Sequence, residues 1–275
     1  MQSDAEIGPP TTFDPNQPSV ARMYDLLLGG HEHFESDREG VDRLLQVAPN
    51  SRTVALINRA FLMRVVEVLV RDYGVRQFID FGSGLPTQRN VHQVAQGIDR
   101  TCRVVYVDND PMVLHTGRAL LAENDNTAIV WADMRDTATI FSSSAVERLV
   151  KSDVPTAALF VSVLHCIPET NPVPPAEVVR RVRRFLPANQ PAYMAISQLV
   201  SPNQEVRERI TTLMAELTSN RWGEVRTASE VISYFDDMEI LEPGVVEVSQ
   251  WRPAKRGIRS PEIEWEEFGG IARAH

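Results

Sequence analysis

The residues best suited to chemistry sit just after short apolar, β-rich runs. The first group is Asp80-Phe81-Gly82-Ser83-Gly84-Leu85-Pro86-Thr87. Its two glycines let the backbone turn sharply and let a ligand approach with no Cβ in the way, and Thr87 is placed to cap the helix that follows. A dinucleotide-binding loop wants a third glycine where Thr87 stands, for close helix packing beside the pyrophosphate. The loop therefore disfavours NAD and an oxidoreductase. An acid two residues before the first glycine has no role facing a pyrophosphate, yet it suits a ligand that carries an ammonium group.

Two further acids stand in register with that loop. Val107-Asp108-Asn109-Asp110 places Asp108 26 residues after Gly82, close to the spacing of an acid that binds ribose hydroxyls. Asp110 is better read as a helix cap ahead of Pro111. In Ala132-Asp133-Met134-Arg135, Asp133 can accept from an adenine amine while Met134 packs on the ring. Ammonium, ribose and adenine together describe S-adenosylmethionine. Ser83, Thr87 and Asn109 are polar neighbours in the same loops. A fourth run ends in Val161-Ser162-Val163-Leu164-His165-Cys166, which puts Ser162 and His165 where the acceptor side of such a pocket would lie.

The elements that must hold these residues follow from periodicity. Strands are expected at Gln77–Phe81, Val104–Val107, Ala128–Trp131, Ala157–Leu164 and Ala192–Ser197, alternating with amphipathic helices, the pattern of a parallel sheet covered on both faces. Met238–Leu241 and Val245–Ser249, joined by Glu242-Pro243-Gly244, are expected to form an antiparallel hairpin. Before Gly74 the pattern is helical: one helix from Val20 to the Gly29-Gly30 stop, a second opened by a capping box on Ser36, and a third with Leu56/Ile57, Ala60/Phe61, Val65 and Val68/Leu69 on one face. Asn58 and Arg59 interrupt that face and point either to the pocket or to solvent. The expected organisation is an extended lead-in over 1–18, an N-terminal helical cap over 19–73, and an α/β core over 74–275. The core is Rossmann-like and mostly parallel, with seven strands.

These stretches resemble the class I S-adenosylmethionine-dependent methyltransferases. More closely, PSVARMYDLLLGGHEHFESDR, NRAFLMRVV, QFIDFGSGLPT, VVYVDNDPMVL, ADMRD and SYFDDMEILEPGVVEVSQWRP are similar to an actinomycete S-adenosyl methyltransferase family long catalogued as a domain of unknown function. The resemblance implies the fold and the cofactor, with Asp80, Gly82 and Gly84 in the loop, Asp108 on the ribose and Asp133 on the adenine. Pro86 departs from the general class and agrees with the narrower family. The resemblance also implies a lid in which Arg22, Tyr24, Asp25, Gly29, Gly30 and His31 fold over the pocket, with Arg22 or His31 donating to the methionine carboxylate. The alternative is a helix pair packed on the sheet edge. Leu164-His165 is similar to a segment of small-molecule O-methyltransferases whose histidine is the general base; the alternative for His165 is a structural or cofactor-flanking role. No Asn/Asp-Pro-Pro-aromatic motif of nucleobase-amine methylation follows the fourth strand.

Composition bounds the remainder. The balance of 28 Lys+Arg against 37 Asp+Glu, a net charge of −9, argues against nucleic-acid and anionic-membrane partners. With no membrane span and no signal peptide expected, the cytoplasm is the expected location. Cys102 and Cys166 are too few for a disulfide scaffold or a thiolate zinc site, and His31-x-His33 lacks a third ligand nearby, so no metal is expected. The function expected is methyl transfer from S-adenosylmethionine to a small-molecule acceptor. A non-catalytic cofactor-binding protein is the second reading.

Overall fold

The computed structural model describes residues 13–86, 89–121, 124–253 and 265–275. Three helices come first: α1 Val20–Leu27, α2 Glu35–Val47 and α3 Ser51–Arg71. Helix α2 opens on Phe34, ahead of the expected cap at Ser36. The reason is Asp37, a buried carboxylate with enough lone pairs for several donors. It accepts the Phe34 N–H at 2.8 Å, the Ser19 N–H at 2.9 Å and Arg22 Nε at 2.7 Å. The Ser36 hydroxyl donates instead to the Pro15 carbonyl at 2.7 Å. In α3 the buried stripe runs Val54/Ala55, Asn58, Phe61/Leu62, Val65/Val66 and Leu69. Leu56 and Ala60, placed inward by periodicity, are exposed, because Val54, Ala55, Leu62 and Val66 offer an apolar stripe on an adjacent face of the helix.

The α/β part runs β1 Gln77–Phe81, α4 Val91–Ile98, β2 Arg103–Asp108, α5 Pro111–Leu121, β3 Thr127–Trp131, α6 Thr137–Phe141, α7 Ser144–Leu149, β4 Thr156–Val161, α8 Pro175–Phe185, β5 Ala192–Val200, α9 Gln204–Leu217, α10 Ala228–Ser233, β6 Glu239–Ile240, β7 Val246–Glu247 and β8 Glu266–Arg273. These strands form an eight-stranded sheet in the order β3-β2-β1-β4-β5-β8-β6, with β7 also on β8. Strands β1 to β5 are parallel and the last three pairings are antiparallel. This is the Rossmann-like, mostly parallel class that the sequence predicts. Helix α4 is capped by Asn90 with Gln93, and Thr87 lies outside the described residues.

Two strand details differ from expectation. The segments on either side of Glu242-Pro243-Gly244 do not pair with each other; both pair with β8, which the periodicity did not reveal. Gly269 and Gly270 make β8 a poor strand by propensity. Gly269 is there because a Cβ would lie 2.3 Å from the Ile196 carbonyl oxygen of β5. Strand β4 stops at Val161, because Ser162 adopts φ +57 and Leu164–Cys166 form a 3-10 turn.

The sheet buries one apolar cluster on each face, and a third cluster lies between the N-terminal helices and α9. Because β1 is flanked by β2 and β4, the strand order reverses there, and open α/β sheets bind ligands beyond the carboxyl ends of the strands at such a switch.

Candidate functional site

At that switch the loop after β1 is folded by its glycines. Gly82 and Gly84 both have φ +66. A Cβ on Gly82 would lie 2.1 Å from Val163 Cγ2, whereas one on Gly84 would meet nothing within 4 Å. The loop is therefore pressed against the segment after β4 at Gly82 and open at Gly84. Gly84 donates its N–H to Asp108 Oδ2 at 2.9 Å, and Asp110 donates its N–H to Asp108 Oδ1 at 2.9 Å. Asp110 caps α5 through the Met112 N–H at 2.8 Å, and accepts the Ser19 hydroxyl at 2.6 Å. That last bond ties the N-terminal segment to the rim of the site.

A cavity of about 420 Å³ opens over these loops, within the range of small-molecule sites. Asp80, Gly82, Ser83 and Gly84 line it from β1 and its loop, with Asp108 and Asn109 from the end of β2. Asp133 and Met134 line it after β3, Ser162 and His165 after β4, and Tyr24 from α1. The structure thus brings together eleven of the sequence-predicted site residues.

Three others are elsewhere. Arg22 is buried in its ion pair with Asp37. A Cβ on Gly30 would lie 2.1 Å from Asp25 Oδ1, so that glycine admits a buried carboxylate whose other oxygen accepts the Glu32 N–H. His31 is exposed and away from the cavity. The first helices form one wall of the cavity through residues such as Tyr24, Leu27 and Leu44, and not through Arg22 or His31.

Burial sets the electrostatics. Desolvation pushes the Asp80 carboxyl up to about 7, opposed by the Arg59 guanidinium and reinforced by Asp108. Asp108 is pushed up to about 6 by burial, against the N–H groups that it accepts. For Asp133, burial raises the pKa but Arg135 outweighs it and leaves it below the ordinary value; Arg135 Nε donates to it at 2.9 Å. His165 is 2% exposed and its ring centroid is 4.3 Å from that of Trp222. Burial, then the Arg226 charge, lowers its pKa to about 3. Both cysteines are free thiols, pushed up to about 11 and about 12 by burial.

Sequence reasoning missed Glu267, Trp222 and Trp265, which also line the cavity. Glu267 went unseen because β8 did. Asn58 and Arg59, left open between pocket and solvent, both face the cavity. Their signal was polar types at inward helical positions.

The sequence model of the S-adenosyl methyltransferase family matches residues 7–275. The chain belongs to this family. A candidate methyltransferase from Thermobifida fusca has a similar structure, with 37% identity, a TM-score of 0.86, and coverage of 97% of this chain and 98% of the other. A DUF574 family protein from Streptomyces avermitilis is 32% identical, with a TM-score of 0.86 over 94% of this chain and 98% of its own. The trans-methyltransferase CalH, in complex with S-adenosylhomocysteine, shares the fold at 13% identity, a TM-score of 0.51 and coverage of 91% and 71%. No curated protein matches. The protein is an S-adenosylmethionine-dependent methyltransferase, and S-adenosylmethionine is its cofactor.

The residues present fit that cofactor. The methyltransferase offers an open glycine at Gly84 and two carboxyls, Asp80 buried and Asp108 half-buried, whose desolvation favours a ligand that brings a cation and hydrogen-bond donors. An amino acid joined to a nucleoside supplies both. Among the described residues no three His, Cys, Asp or Glu converge as metal ligands, and no helix is long and apolar enough to cross a membrane.

Proposed function

We propose that the methyltransferase holds its cofactor along the glycine loop and the ends of β2 and β3, and transfers the methyl group to a small molecule lodged in the other half of the same cavity. The cofactor supplies a methyl group already activated on a sulfonium. The chain supplies alignment and exclusion of water. Asp80 faces the amino-acid end, Asp108 takes the ribose hydroxyls and Asp133 takes the adenine amine, with Met134 against the ring.

One observation carries the small-molecule reading: the three acids share a continuous cavity with side chains of α1, α3 and α9. An acceptor must fit beneath helices of the same chain. A net charge of −9 also disfavours a nucleic-acid acceptor. His165 is a weak candidate for proton acceptor, since a conjugate acid near 3 makes a poor base at neutral pH. We assign it to the cavity wall, where it supports Trp222. The free thiols suit a reducing compartment such as the cytoplasm.

The test is calorimetric titration of the purified protein with S-adenosylmethionine and S-adenosylhomocysteine, followed by incubation with a small-molecule extract fraction. Cofactor binding together with cofactor turnover dependent on the low-molecular-weight fraction supports the reading. Turnover only with macromolecules overturns it.

A further inference from the structure

Leu27, Leu44, Leu199, Met214, Trp222 and Trp265 give the cavity an apolar wall. Strand β8 sets one carboxyl into that wall. Glu267 stands opposite Leu199 in the β5–β8 register, so both side chains leave the same face of the sheet. It is 2% exposed. The Ser162 hydroxyl donates to its Oε1. The Ser162 N–H donates to the Ser197 hydroxyl at 3.1 Å, that hydroxyl donates to Asn58 Oδ1 at 2.7 Å, and Asn58 Nδ2 donates to the Tyr24 hydroxyl at 3.0 Å. This chain of hydrogen bonds links the ends of β4 and β5 to α3 and α1 and fixes the carboxyl in place.

Glu267 Oε2 has no hydrogen-bond partner. A buried polar oxygen left unpaired is destabilising, a cost that fold stability alone gives no reason to retain. Its place in the wall of a ligand cavity gives one. We propose that Glu267 selects the acceptor, its free oxygen taking an N–H of a protonated amine carried on an apolar body that packs against Trp222 and Trp265. This rests on the small-molecule reading above. The amine is favoured over a neutral donor because a cation compensates the carboxylate charge in an apolar wall. Burial, opposed by the Ser162 hydroxyl, pushes Glu267 up to about 8. Tyr24, the titratable group coupled to it, is pushed up to about 12 by burial and stays neutral. Binding an ammonium ion at pH 7 must therefore drive a proton off Glu267.

The experiment uses the whole protein saturated with S-adenosylhomocysteine, so that Asp80 and Asp108 are already engaged. The probes are 2-phenylethylammonium and its neutral counterpart 2-phenylethanol, titrated calorimetrically at pH 7 in two buffers of different ionisation enthalpy. Expected are at least about tenfold tighter binding of the ammonium ion and release of close to one proton. Glu267→Gln should abolish both while leaving S-adenosylhomocysteine affinity unchanged. Equal affinity for the two probes, or no proton release from the wild type, overturns the proposal whether or not the variant folds. So does a variant that keeps the preference. A folded variant that loses S-adenosylhomocysteine affinity would assign Glu267 to the cofactor's amine and overturn it too. Failure of the wild type to bind S-adenosylhomocysteine sinks the functional reading itself, which separates the two.

Discussion

Gly84 donates its backbone N–H to Asp108 Oδ2 at 2.9 Å, so the acid expected on the ribose also clamps the loop after β1. Removing it acts twice. Charge-assisted bonds contribute roughly 1.5–3 kcal/mol each, so Asp108→Ala should weaken S-adenosylhomocysteine binding by at least about tenfold. Asp108→Asn keeps an acceptor oxygen for Gly84 and should lose less. Calorimetry on both variants decides it, and unchanged affinity in a folded Asp108→Ala protein removes that carboxylate from the site.

The three raised carboxyls make a statement about pH. Asp80, Asp108 and Glu267 have folded pKa values of about 7, 6 and 8, above ordinary values of 3.8, 3.8 and 4.5. Between those limits the folded state binds more protons than the unfolded state, so their contribution is fully present below about pH 4 and is lost as pH rises through 6 to 8. The Tm of the ligand-free protein should fall across pH 6 to 8, and less steeply in Asp80→Asn. A ligand-free Tm that rises over that interval contradicts the burial of these charges.

Much of the candidate site was legible because its residues sit at strand ends, where an acid or a glycine interrupts an apolar run. Asp80, Asp108 and Asp133 are read that way, and all three line one cavity. The N-terminal segment is different. Arg22 and His31 are types that bind anions, but Asp37, 15 residues on from Arg22, takes the guanidinium, and no local pattern announces such a pairing. Glu267 was hidden for a related reason: β8 exists as a strand because β5, β6 and β7 pair with it, not because of its own propensity.

Gly82 tests how tightly the loop is pressed against its neighbour. With φ +66 and a Cβ position 2.1 Å from Val163 Cγ2, alanine there meets both an unfavourable backbone region and a buried side chain. Gly82→Ala should cost about 1–3 kcal/mol, read from denaturant midpoints. Gly84→Ala shares the backbone penalty but not the collision, so it should cost less stability. Equal losses would mean that the contact with Val163 is not made.

The Arg22–Asp37 pair predicts what holds the first helices over the cavity. Both side chains are buried, and Asp37 also anchors Ser19 and Phe34. Breaking one partner of a buried pair strands the other, at about 3–5 kcal/mol. Asp37→Ala should therefore lower stability by that order and speed proteolysis within the N-terminal helices. A loss below 1 kcal/mol would show that the pair is open to water.

His165 separates a base from a wall. Its ring is buried against Trp222, and burial lowers its pKa to about 3, so as a base it would contribute far less than the 10²–10⁴-fold of a well-matched group. Once an acceptor is in hand, His165→Gln should reduce kcat at saturating cofactor by less than about tenfold. Its larger effect should be on acceptor KM, because the indole loses its support, and on Tm, because an aromatic packing partner is gone. A fall in kcat of a hundredfold or more, with cofactor affinity and acceptor KM both preserved, would restore His165 as the group that takes the acceptor's proton. The pH profile distinguishes the cases again: a wall residue leaves the acidic limb of kcat unmoved, whereas loss of an essential base removes it.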